Sequence, residues 1–144
     1  MPFPALQSAF DALYVPGLQW YWRGDFVDRL SDDAIAAHLQ HLQVPTMWST
    51  MHLYPVDGAV HDVPEESTAF SYRNSTWAQV IVGVDPDPAN RQLITDWTRR
   101  YHDALHPHGA GGAYVNFMMD EGQERVQATY RGNYERLVRI KRRY

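Results

Sequence analysis

The chain has 144 residues, of which 44% are hydrophobic and 21% charged, which suits one soluble domain (1–144) built around one core. Its net charge of -4, with no basic block before the C-terminal run RLVRIKRR, argues against nucleic acid as a partner, and the absence of cysteine excludes disulfides, thiolate catalysis and Cys-based zinc sites. No apolar run approaches the roughly 20 residues of a membrane span. The opening MPFPALQSAF lacks the charged start and apolar core of a signal peptide, so a cytoplasmic protein is expected.

Taken in chain order, residues 5–13 read as a short helix or turn ahead of Pro16-Gly17. Residues 18–27, LQWYWRGDFV, read as an aromatic-rich strand. Ser31-Asp32-Asp33 supplies a cap and acidic groups for the positive end of a helix, with Ile35, Leu39 and Leu42 at helical spacing and Pro45 as the stop. A strand-rich middle follows, with strands expected at 47–54, 58–62, 67–73 and 77–84, the last (WAQVIVGV) having the β-branched content of a buried strand. After the turn Asp85-Pro86-Asp87-Pro88, a helix is expected over 88–105, with Leu93, Ile94, Trp97, Tyr101 and Leu105 as its apolar stripe, ended by His106-Pro107. The loop HGAGG leads to a predicted strand 113–119. The last helix, 121–143, has Val126, Tyr130, Leu137 and Ile140 on one face and Gly132 as a point of kinking. Strands with few helices between them favour an α+β fold: an antiparallel β-sheet with helices packed on one face, the open face being free to bind.

Alternation along strands selects candidate residues on that open face. In AYVNFMM, Val115 and Phe117 fall on one side and Tyr114 and Asn116 on the other; alternation alone fits equally a surface Tyr beside a surface Asn. In residues 50–54, Met51 and Leu53 oppose His52 and Tyr54, and if this strand joins the same sheet its polar side meets Tyr114 and Asn116. Tyr21 and Tyr72 are further pocket candidates. The aromatic content of 13%, with five Trp and nine Tyr, suits a pocket wall or an interface as well as a core. Among the seven histidines, His102 and His106 share a helical face, but no Glu stands between them as in a helical zinc protease, and Pro107 breaks the helix before His108. No metal site is expected. His38 and His41 read as solvated helix residues.

GGAYVNF followed by YRGNYERLVRIKRRY resembles the C-terminal region of berberine-bridge-enzyme-like FAD-linked oxidases, where a Tyr-x-Asn strand precedes a helix carrying Tyr-x-Gly-x-Asn-Tyr-x-Arg-Leu. PALQSAFD, LQWYWRGDF, LSDDAI, the Asp57-Gly58-Ala59 turn and TAFSYRN resemble family segments in the same order. The resemblance implies the second, substrate-covering domain of such an enzyme, an antiparallel sheet flanked by helices. Its cofactor, FAD, would be held mainly by an FAD-binding domain in cis or on a separate chain.

In that family the Tyr of the Tyr-x-Asn strand serves as catalytic base, which places Tyr114 in that role, with Tyr54 near the position of a second catalytic residue. The resemblance implies that Asn116 orients the substrate or contacts the flavin edge, with Asn133 a further cofactor candidate, and His52 on the same face is the alternative to Tyr54; His52, Tyr21 and Tyr72 are the substrate-contact candidates that the strands themselves offer. The partners expected are the FAD-binding domain and a small-molecule alcohol or amine, with neither nucleic acid nor membrane; an exposed domain interface would also favour homo-oligomers. The alternative is a stand-alone small-molecule-binding or protein-interaction module that has lost the redox function.

Overall fold

A computed structural model describes residues 1–144, the side chain of Leu13 aside. A short helix α1 (Phe3–Gln7) leads into strand β1 (Gln19–Val27), helix α2 (Asp32–His41), strand β2 (Thr50–Pro55), strand β3 (Trp77–Asp85) and the long helix α3 (Arg91–Leu105). Two C-terminal helices, α4 (Gln123–Tyr130) and α5 (Tyr134–Arg143), close the chain. The three strands form one antiparallel sheet in the order β1-β3-β2, with β3 in the centre. Trp22 pairs with Val82 and Thr50 with Val82 on the other side, so side chains of one parity from all three strands share a face.

One face lies under helices. Ile81 of β3 packs with Trp97, Tyr101 and Leu105 of α3, and Met51 of β2 and Ala37 of α2 complete this core. The α3 stripe therefore follows its sequence periodicity, except that Leu93 is exposed. Helix α2 departs from its expected face. Ser31 caps it, its Oγ accepting from the Ala34 amide at 3.2 Å. The buried residues, however, are Ala34 and His38, while Ile35, Leu39 and Leu42 point outward and are 44–64% exposed. Small alanines let α2 approach α3 closely. His38 turns inward because its Nδ1 meets the otherwise buried Tyr101 hydroxyl at 2.9 Å. His38 is thus a core residue and not the solvated one expected.

Three predicted strands are absent. Residues 58–62 and 67–73 hold only short 3₁₀ turns, at Gly58–Val60 and Glu65–Ser67, followed by an irregular run in which Ser71 and Tyr72 are buried. The segment 113–119 is not a strand either, but a 3₁₀ turn at Val115–Phe117. The free edge of β1 explains it. Phe26 accepts at its carbonyl from the Ala110 amide and donates from its own amide to the Gly112 carbonyl, both at 2.7 Å, and the chain then leaves the sheet. Gly112 permits this approach, since a Cβ there would overlap the Tyr72 ring.

The expected single C-terminal helix is broken into α4 and α5 at Arg131, which has φ 45°, one residue before the predicted Gly132. Asn133 explains the break: its Nδ2 donates to the Glu65 carbonyl at 2.7 Å and to Ser71 Oγ at 2.9 Å, pinning the helix junction to the irregular run. These helices are anchored by polar groups, and Ile140 of the expected apolar stripe is 44% exposed. No described helix is long and apolar enough to cross a membrane.

Candidate functional site

The second face of the sheet is covered at one end only. There Phe26 stacks on Tyr72 (centroids 4.5 Å apart, interplanar 13°), and Ala78, Phe70, Tyr114 and Phe117 pack around them. Phe117 lies over Gly24, where a Cβ would come within 3.0 Å of the Phe117 Cβ, so the glycine is what lets the 113–119 turn settle on the sheet. Beyond Phe117 the face opens into a pocket of about 670 Å³. Trp20 and Trp22 of β1, Val80 and Val82 of β3, and His52 and Tyr54 of β2 form its floor. Tyr14 closes one side by stacking on Trp20 at 5.6 Å. No Asp, Glu, Lys or Arg lines it among the described residues.

The polar groups gather at the Phe117 rim. Asn116 lines the pocket, and its Nδ2 donates to Tyr114 Oη at 2.8 Å. Tyr114 itself is half-buried, its ring set edge-on against Phe117 (5.2 Å, 89°). The two residues are therefore neighbours, as expected, although a turn and not a strand brings them together. Tyr54 packs against Phe117 at 5.5 Å and stacks on His52 at 5.6 Å. Burial, with Tyr14 nearby, raises the Tyr54 hydroxyl above its ordinary pKa. Burial lowers that of His52. Both effects favour neutral groups in the pocket. His52 Nε2 shares a hydrogen bond of 2.9 Å with Thr50 Oγ1.

Three predicted site residues lie elsewhere. Tyr21 has the opposite parity to Trp20 and Trp22, so it faces the helices. Its hydroxyl accepts from Arg99 Nε at 3.0 Å and Arg23 Nε at 3.2 Å, and it borders a separate depression with Arg91 and Thr95. Tyr72 is 2% exposed, and its hydroxyl donates to the Ala128 carbonyl at 2.8 Å, making it a core pillar. Asn133 is 6% exposed, its amide nitrogen committed to the junction described above. Trp20 and Trp22 were missed as site residues. Alternation along β1 opposes both to Tyr21 and selects them once the covered face is known.

The helix-covered face holds a polar cluster. The Asp25 carboxylate, with 0% side-chain exposure, lies 2.5 Å from Arg125 Nη2, 3.1 Å from His102 Nε2 and 3.0 Å from His106 Nδ1. Burial pushes the Asp25 carboxyl up, but His102 and Arg125 beside it outweigh burial and hold it below its ordinary value.

Comparison with known proteins places this geometry. Residues 113–144 match the family described as berberine and berberine like. The aclacinomycin-N/aclacinomycin-A oxidase of Streptomyces galilaeus is 27% identical over 124 residues, covering 73% of this chain and 23% of the oxidase. Among solved structures, GilR, an oxidoreductase of gilvocarcin biosynthesis, superposes with a TM-score of 0.78 at 17% identity, over 89% of this chain and 30% of its own. CrmK, a flavoenzyme of caerulomycin biosynthesis, does so with a TM-score of 0.77 at 20% identity, over 91% and 30%. The chain thus resembles the berberine-bridge-enzyme-like FAD-linked oxidoreductases, in sequence at its C-terminal segment and in fold over most of its length. It spans about a quarter to a third of the length of these relatives.

Proposed function

We propose that this chain supplies the substrate-binding and proton-transfer part of an FAD-dependent oxidoreductase that oxidises an alcohol or amine. The observation that carries the reading is an uncharged aromatic pocket lined by Tyr54 and Asn116, with Tyr114, outside the lining itself, hydrogen-bonded to Asn116. Trp20, Trp22 and Val82 offer a broad apolar floor that excludes water from a bound substrate. The rim amide and hydroxyls suit the polar edge of a flavin ring. The bulk of the cofactor falls to an FAD-binding domain, in cis or on a separate chain.

When bound, the flavin supplies the hydride acceptor. Tyr114 Oη acts as general base, taking the proton from the substrate hydroxyl or amine as the hydride leaves the adjacent carbon. It does so as the phenolate, its charge being neutralised by the proton it gains, and the Asn116 amide, which donates to that oxygen, stabilises the charge it carries beforehand. Tyr54, whose proton burial holds in place, fits the role of a donor that orients the substrate heteroatom better than that of a base. His52, neutral and tied to Thr50, forms part of the wall.

In the FAD-loaded assembly containing this chain, Tyr114→Phe is expected to lower kcat by about 10²–10⁴-fold with KM little changed. Near-normal kcat removes Tyr114 from this role.

A further inference from the structure

The polar cluster on the helix-covered face takes no part in the pocket. We propose that Asp25, His102 and His106 form a binding site for a transition-metal dication, with zinc the best fit to the donor set. His102 and His106 lie one turn apart on α3 and at its C-terminal end, their rings stacked at 5.2 Å and 22°. Both aim a nitrogen at the same oxygen: His102 Nε2 is 3.1 Å and His106 Nδ1 is 3.0 Å from Asp25 Oδ2. The three donor atoms lie within 4.8 Å of one another. A tetrahedral zinc at about 2.0–2.2 Å from each ligand keeps those ligands roughly 3.3 Å apart, so small side-chain adjustments suffice. Two imidazoles and one carboxylate oxygen suit zinc better than calcium or magnesium, which prefer oxygen alone. His106 is 44% exposed, which leaves a fourth position within reach of water.

The surroundings support a cation rather than a self-sufficient hydrogen-bond network. His102 is 4% exposed, and its Nε2 has no partner in hydrogen-bond geometry despite its approach to Asp25. A metal at the centre would satisfy that nitrogen. His102 Nδ1, which would then carry the ring proton, lies 3.5 Å from Asp103 Oδ1, the carboxylate that metal-bound imidazoles commonly use behind them. Arg125 is the obvious competitor, but it holds Oδ1 and leaves Oδ2 to the histidines. Arg125 is also shared with Glu121, its Nε lying 3.4 Å from Oε2. The three carboxylates Asp25, Asp103 and Glu121 outnumber the Arg125 guanidinium among them, which favours an incoming dication. The His102–His106 spacing was visible in the sequence. The third ligand is not His108 but Asp25, which stands 81 residues before His106. The site would clasp β1 to the end of α3, where the chain departs for the loop that carries Tyr114.

The test uses the full chain, stripped with a chelator, titrated with Zn²⁺ by calorimetry and with Co²⁺ by visible absorption. The expected result is one equivalent of Zn²⁺, a thermal midpoint that rises with free Zn²⁺, and the intense visible bands of four-coordinate cobalt. His106→Ala, at a half-exposed position, is expected to weaken Zn²⁺ binding at least tenfold and abolish the thermal shift, while the exposed-residue control His61→Ala retains both. Equal affinity in His106→Ala, or binding without stabilisation, overturns the proposal. So does a cobalt spectrum lacking the four-coordinate bands, which needs no variant.

Discussion

The two faces of the sheet reverse the usual sorting of charge. On the helix-covered face, where burial is deepest, Asp25 has a side-chain exposure of 0% and is surrounded by Arg125, His102 and His106. On the half-covered face the pocket floor is Trp20, Trp22, Val80 and Val82, with no formally charged side chain among the described residues. Burial tolerates charge when partners hold it, and large exposed apolar patches mark binding surfaces. The first face thus gathers charge under cover, and the second leaves an apolar floor open. Both are positioned by one loop: residues 109–112 pass beside Asp25, bond to Phe26 and deliver Tyr114.

The comparison breaks most visibly at Asp25. Asp25→Asn leaves the buried Arg125 guanidinium with Glu121 as its one remaining carboxylate partner, so the loss is expected at or below the about 3–5 kcal/mol that removing one partner of a buried pair costs. Urea denaturation monitored by tryptophan fluorescence would read this loss. A midpoint unchanged from the wild type would mean that the cluster is ornamental to stability.

A smaller effect is expected from acid. Burial, and secondarily His41 and His108, lower the pKa of His38 below its ordinary 6.5. The unfolded chain therefore takes up that proton first as pH falls. This contribution to stability is constant above 6.5 and declines as pH drops from there towards the folded-state value. His38→Gln should flatten this part of the stability profile, measured as denaturation midpoints across the window. A slope identical to that of the wild type would assign it to other groups.

The smallest effect is expected on the outer side of α2. Leu39 is 64% exposed, so Leu39→Gln should change stability by no more than about 0.5 kcal/mol. A larger loss in the same denaturation assay would show that this helix face is covered in solution.

Much of the frame was legible before folding was considered. β1 and β3 stand out by their aromatic and β-branched content and α3 by its stripe, because each buries a face whose period matches its own geometry. His52 and Tyr54 were correctly opposed to Met51 and Leu53 for the same reason. The 113–119 segment misled because only the preceding Ala110 and Gly112 bond to Phe26 on the edge of β1, and the chain then turns, leaving Val115 exposed and setting Phe117 beside Asn116 in the pocket. Ile35, Leu39 and Leu42 misled because a hydrophobic period was present but the face turned inward is the one on which His38 meets the buried Tyr101 hydroxyl.

The sequence by itself determined the α+β class, the alternation of its strands and the Tyr-x-Asn pairing, since these follow from local periodicity and short spacing. Tertiary structure alone decided which face of the sheet the helices cover. That choice sends Trp20 and Trp22 to the pocket and Tyr21 away from it, because a strand's parity is known locally while its orientation depends on what packs against it. It also decided that Asp25 meets two histidines from the far end of the chain, a contact that no local period encodes.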